Sequence, residues 1–282
     1  MRGKPATRAG VSARSALRII GRALVVLVLT YTLVFAVLYA LPSDPAAIML
    51  SQSEEQAGDL EARERFREEL GLNRPVMVQY LDGMWGMVRG DFGVSLSQRR
   101  PVLEVVGGAL PATFAVAGLG LLFSVVGAVL LAALAMTTRF RWLGSALKAI
   151  PSFQASLPVF WVGLVLIQLF AFTFPLFPPT GNRGFSSLIL PAITLGLSAS
   201  ASLAQVFISA LETTYKEPYI VTARAAAARP WTVFLRHAFR NASIPAITML
   251  GVIVGNLLSG TVVVETVFAR SGLGRVVQNA VL

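Results

Sequence analysis

The side chains able to do chemistry are few and unevenly placed. The 282 residues include no cysteine, which excludes disulfides, thiol nucleophiles and cysteine metal sites. The one histidine, His237, stands among arginines (Arg236 and Arg240), where a polar or interfacial contact suits it better than metal ligation. No stretch reads G-x-x-x-x-G-K-[ST], H-E-x-x-H or G-x-S-x-G, so this chain has no phosphate-cradling loop, zincin helix or nucleophile elbow. What remains is an alanine-rich basic segment, TYKEPYIVTARAAAARPWTVFLRH at 214–237, and neutral polar groups inside apolar runs. The neutral groups are Gln154, Gln168, Gln205, Asn256 and the serines at 198, 200 and 202. Gln205 and Asn256 suit either the lining of a path or hydrogen bonds between helices. Glu265 follows the last uncharged run. It can line a pathway, but a charge at a span end is cheap relative to the centre, and the interfacial reading is preferred.

The elements that position these groups are membrane spans. The composition is 55% hydrophobic and 13% charged, where a soluble domain carries about 25% charged residues. Five runs of at least 19 residues contain no charge: 23–41, 110–136, 150–174, 188–211 and 244–264. Crossing the hydrocarbon core takes about 20 apolar residues in a helix. The expectation is an all-α multi-pass membrane protein with five spans. The third run holds Pro151 and Pro158, so its start is expected to be a broken or interfacial turn, with the apolar part from Leu157 onward. The first run is longer than the roughly 7–15 residues of a signal-peptide core and is expected to be retained.

Orientation follows from the loop charges. With residue 1 in the cytoplasm, the inner segments 1–22, 137–149 and 212–243 carry 14 Lys/Arg and 2 acids. The outer segments 42–109, 175–187 and 265–282 carry 10 Lys/Arg and 12 acids. This is the positive-inside pattern, and it accounts for the net charge of +10 without a nucleic acid partner. The N-terminus and the segment 212–243 are therefore expected to be cytoplasmic. The outer piece 42–109 reads as helical: a thin stripe of Leu60, Phe66 and Leu70, then Pro75 opening a second helix whose Met77, Tyr80, Leu81, Met84, Trp85 and Val88 pack on membrane or on neighbouring helices. Gly90 and Gly93 of RGDFG read as turn residues.

In the basic segment, Pro218 suits the first position of a helix, and residues 219–229 include five alanines. Pro230 disfavours helix at Arg229 and can open a second helix, from Trp231 to about Asn241, before Pro245. Two short helices of this kind, the first of about 12 residues and about 18 Å, suit docking in a partner's groove. A connector of this length exceeds the roughly 2–8 residues common in bundles, and long ordered loops are usually functional.

The stretch EPYIVTARAAAARPWTVFLRHAFRNASIPAIT resembles the cytoplasmic loop of binding-protein-dependent ABC transporter permeases in its dipeptide/oligopeptide form. Tyr219, Thr222, Ala223, Arg224, Ala225, Arg236, His237, Ala238, Arg240, Asn241, Ala242 and Pro245 match that pattern without a gap. LGLNRPVMVQYLDGMWGMVRGDFGVSL, LPATFAVA, LILPAITLGL and VVVETVFARSGLGRVV extend the likeness over nearly all of 17–282. The resemblance implies a type I ABC importer permease bundle: half of a translocation path, paired with a second homologous permease subunit in the cell membrane. Two cytoplasmic ATPase subunits, which bind ATP and Mg, would dock through Glu217, Tyr219, Thr222, Ala223, Arg224, Ala225, Ala226, Ala227, Arg229, Arg236 and His237. An extracytoplasmic peptide-binding protein would deliver substrate. This chain would be non-catalytic and bind no cofactor of its own. The path candidates are Gln205, Asn256 and Glu265. Two departures matter. The family's Lys-Gly pair falls on Ala226 and Ala227, which predicts a more continuous helix to Arg229, and the acid before Tyr219 is displaced to Glu217. The family pattern also continues beyond QNAVL into a last span, so six spans are expected in the intact subunit. A self-contained channel or secondary carrier, and an intramembrane enzyme, are disfavoured by the docking loop and by the absence of acids within the uncharged runs.

Overall fold

The structure is a computed structural model that describes residues 13–40, 64–65, 67–68, 71, 73–95, 97–226 and 229–281. The chain divides into two units, Met1–Val102 and Leu103–Leu282. In the first, helix α1 (Ala13–Ala40) carries the first apolar run, and α2 (Val76–Arg89) follows Pro75. Tyr80 of α2 reaches α1. Its hydroxyl lies 2.8 Å from Thr32 Oγ1, its carbonyl accepts from the Tyr31 hydroxyl at 3.1 Å, and its ring meets Phe35 edge-on. Met77, Leu81, Trp85 and Val88 stay exposed, so only Tyr80 of that stripe makes the interhelical aromatic contact. Gly90 ends α2 at φ 81, donating to Met87 while Asp91 donates to Gly86. This pair of reverse bonds needs the left-handed residue that glycine supplies. Gly93 also has positive φ, as a turn residue should. Of the helix expected before Gly71, only residues 64, 65, 67 and 68 are described, and they are helical; Leu60, Phe66 and Leu70 lie outside the described residues.

The second unit is a bundle. Its elements are α3 (Val102–Thr137), α4 (Arg141–Ala155), α5 (Val159–Ile167) with a π-helical extension Gln168–Thr173, and α6 (Ser186–Thr214). After α7 (Pro218–Ala225) come the turn Pro230–Thr232, a π segment Val233–Ala238, α8 (Phe239–Val267) and α9 (Leu273–Val281). Among the described residues, four helices are long and apolar enough to cross a membrane, and the bent pair α4 and α5 raises the number to five. The break in that pair is at Pro158, with a 104° bend, whereas Pro151 lies inside α4 and is buried. The third run is thus interrupted at Pro158, not at its start.

Helix α6 is the centre of the bundle and the most deeply buried of the long helices among the described residues. Small residues allow that. A Cβ on Gly196 would lie 2.7 Å from the Phe123 Cβ and 2.9 Å from the Gly120 carbonyl oxygen, so α3 and α6 touch backbone to backbone. Leu190, Leu195, Leu203, Phe207, Ile208 and Leu211 fill the core around this crossing. A Cβ on Gly260 would meet Leu195, placing α8 on another side of α6. Pro111, Pro191 and Pro245 lie within helices. Membrane helices accept such prolines where neighbouring helices hold the backbone.

Candidate functional site

The loop between α6 and α8 begins without slack. The amides of Tyr215, Lys216 and Glu217 donate to Leu211, Thr213 and Thr214. Glu217 is extended (φ −66, ψ 141), and Pro218 starts α7, where its missing N–H leaves no bond unmade. Ile220 is the one fully buried residue of α7 and joins the core cluster that holds Val233, Phe234 and Ala238. Burying such a side chain stabilises by about 1.5–3 kcal/mol, and it fixes which face of α7 looks inward. Glu217, Tyr219, Thr222, Arg224, Ala225 and Ala226 are exposed on the rest, with Ala223 half-buried. Arg224 lies over the ring of Tyr215, 4.8 Å from its centroid. The Tyr215 phenol is buried without a hydrogen-bond partner, and burial raises its pKa against the opposing pull of Arg224. Asn241 Nδ2 donates to the Tyr219 hydroxyl at 2.7 Å.

Two expectations about this loop are corrected. Helix α7 does not run on to Arg229. It stops at Ala225, after eight residues, with Ala226 at φ −78 and ψ 19. Arg229 is extended (φ −61, ψ 142), as a residue before proline tends to be. Ala227 lies outside the described residues. Nor is there a second short helix ending before Pro245. The turn, the π segment and α8 form one helix, Pro230–Val267, in which Ala242 and Ala246 are buried on either side of Pro245. Packing against the bundle overrides the proline there. Exposed Arg236 and half-buried His237 therefore sit at the start of a long helix. Tyr215 and Ile220 were not singled out by sequence. Ile220 stands beside a second branched apolar residue, Val221, which is exposed, so the local sequence does not say which of the two faces inward.

The neutral polar groups sort by face. Large apolar side chains at helical spacing, Phe114, Leu122, Val126, Leu130 and Leu134, make the exposed stripe of α3. On α6 the accessible residues include Ser198, Ser202, Gln205, Ser209 and Thr213, together with the apolar Leu197, Val206 and Ala210. Gln205 lines an open groove of about 410 Å³ with Val206, Ser209, Ala210, Thr213 and Pro245. Asn256 is exposed on α8, about 16 Å along the helix from Pro245 at 1.5 Å per residue. The structure does not gather Gln205 and Asn256 at one point. Polar groups in a membrane face a bundle interior or a wet cavity rather than lipid, which distinguishes the α6 stripe from that of α3.

Glu265 lies two residues before the end of α8 and is fully buried. Its Oε1 accepts from the Thr113 hydroxyl at 2.6 Å and its Oε2 from the Gly274 amide at 2.7 Å. Thr113 in turn accepts from the Leu273 amide. Gly272 and Gly274 press so closely on the carboxylate that neither has room for a side chain. Beside it Arg270, 3% exposed, donates to the carbonyls of Gly181 and Ser187. In this structure Glu265 fastens α3, α8 and α9 together and is closed off from every surface.

The comparisons with known proteins agree with this geometry. Residues 124–282 match the family described as binding-protein-dependent transport system inner membrane component, and residues 13–117 match that family's N-terminal membrane component. The glutathione transport system permease protein GsiC of Escherichia coli (strain K12) is 33% identical over 249 residues, covering 88% of this chain and 80% of the relative. A putative peptide transport system permease protein of Brucella abortus (strain 2308) is 31% identical over 274 residues, covering 94% and 86%. The chain belongs to the binding-protein-dependent inner membrane component family, as a multi-pass permease subunit of an ABC importer of type I architecture.

Proposed function

We propose that this subunit forms half of a translocation path for di- and oligopeptides and takes its driving force from ATPase subunits seated on α7. The observation that carries this reading is the form of α7: a short helix with its inner face fixed by Ile220 and its remaining surface open. Small alanines at 223, 225 and 226 let a partner's groove approach closely, and Arg224 and Arg229 supply positive charge at its far end. The excess of Lys and Arg in segments 1–22, 137–149 and 212–243 supports a cytoplasmic N-terminus and a cytoplasmic α7. The partners in this reading are a second homologous permease, two ATPases that bind ATP and Mg, and an extracytoplasmic peptide-binding protein.

The neutral stripe on α6 suits substrates of varied charge, because hydroxyl and amide groups can meet peptide backbone without selecting a side chain. Peptide as the substrate class is supported by relatives named for glutathione and for peptide transport. The test is uptake of labelled di- and oligopeptides by cells with and without this subunit. Loss of uptake for at least one peptide class is expected, and no change for any peptide would contradict the substrate. For docking, Arg224→Glu and Ala225→Glu are expected to strip the ATPase from the purified complex and abolish uptake. Retention of both would contradict the role of α7.

A further inference from the structure

Helix α7 is attached differently to its two neighbours. Toward α6 the join is stiff: three successive amides bond to the last turn of α6, and Arg224 folds back over Tyr215. Toward α8 the helical backbone stops at Ala225, and Arg229 is extended. Ile220 shares a buried apolar cluster with Val233 and Phe234, but apolar contacts are non-directional and allow sliding. Among the described residues, the one side-chain hydrogen bond between α7 and α8 is Asn241 Nδ2 to the Tyr219 hydroxyl, at 2.7 Å.

Asn241 also occupies the weakest place in its helix. The π segment Val233–Ala238 ends three residues before it. Four residues after it, Pro245 has no N–H to give to the Asn241 carbonyl. Prolines and π segments are the usual places where helices bend. The bond from α7 therefore grips α8 at the point where α8 yields most easily.

We infer that Asn241 is a positioning residue that carries displacement of α7 into a bend of α8, and so links ATP hydrolysis on docked subunits to movement of the transport helices. This rests on the docking reading of α7. It differs in what it predicts: without the bond the ATPases still bind and hydrolyse, but transport no longer follows.

The test uses the complete complex, both permeases with the ATPases and binding protein, in proteoliposomes with a labelled peptide. Asn241→Leu is expected to keep ATPase copurification and basal hydrolysis while uptake per ATP falls about fivefold or more. Asn241→Asp, which can accept from the Tyr219 hydroxyl, is expected to recover most of that loss. If Asn241→Leu does not fold, Asn241→Ala removes the same bond with a smaller side chain and is expected to show the same fall. Three results overturn the inference: unchanged uptake per ATP in both deletions, Asn241→Asp falling as far as Asn241→Leu, or uptake falling only in step with lost ATPase. Ala225→Glu separates the two readings. If it releases the ATPase while Asn241→Leu couples normally, the joint alone fails. If it retains the ATPase, docking itself fails.

Discussion

The two ends of the second unit are held by opposite means. At the Glu265 end a buried carboxylate has both oxygens occupied, two glycines leave no room to shift, and Arg270 reaches Gly181 in the loop before α6 and Ser187 at the start of α6. Ala269 sits there at φ 48, a left-handed conformation that a non-glycine residue keeps only where its surroundings over-determine it. At the α7 end the join to α6 is stiff, but toward α8 one buried isoleucine and one side-chain hydrogen bond do the holding, beside a π segment and a proline. A buried carboxylate with both oxygens bonded rigidifies its corner, although Arg270 Nε beside it is buried without a hydrogen-bond partner, whereas sparse contacts with exposed hydrogen bonds mark the segments that open and move. One end is built to stay and the other to yield, the asymmetry expected of a bundle driven from one side.

The strongest attack on this contrast is at the fixed end. Glu265→Ala leaves the Thr113 hydroxyl and the Gly274 amide without their acceptor, at about 1–3 kcal/mol for each orphaned group. A clear drop in the thermal unfolding midpoint of the detergent-purified subunit is expected; an unchanged midpoint would mean that the corner holds nothing. Gly274→Ala is expected to cost less, about 1–3 kcal/mol from overpacking, since its new Cβ would lie 2.5 Å from the Val262 Cα. The same melt checks it. At the yielding end Asn241→Leu should move the midpoint by less than about 1 kcal/mol equivalent, although it uncouples transport. A large destabilisation there would erase the contrast. The smallest effect on stability is expected for Gln205→Leu, within about 0.5 kcal/mol as for other surface changes, while uptake slows if the α6 stripe is wetted by substrate.

The long spans were legible because a charge-free run of sufficient length has few other fates in a chain, and runs 110–136, 188–211 and 244–264 all lie within long helices. The bend in the third run was visible as two prolines, but only packing decides that Pro151 is absorbed and Pro158 breaks the helix. The end of α7 was misjudged by weighting alanine propensity: five alanines favour helix, yet the constraint before Pro230 sets Arg229 extended. Glu265 could not be placed from its neighbours at all. Its hydroxyl partner, Thr113, is 152 residues away in sequence, and nothing local says that the two converge. Arg224 was legible as an exposed base but not as a partner of Tyr215. That contact makes Ala225 the cleaner position for probing docking, since Ala225 is exposed at the end of α7 and an acid there disturbs no ring contact.

The claim on which the rest depends is that α7 receives the ATPases, and purification of the assembled complex carrying Ala225→Glu tests it most directly. The account predicts that wild-type subunit brings down a P-loop ATPase, and that the variant, still folded by its melting profile, recovers about a tenth as much or less. Equal recovery of ATPase from the folded variant would contradict it.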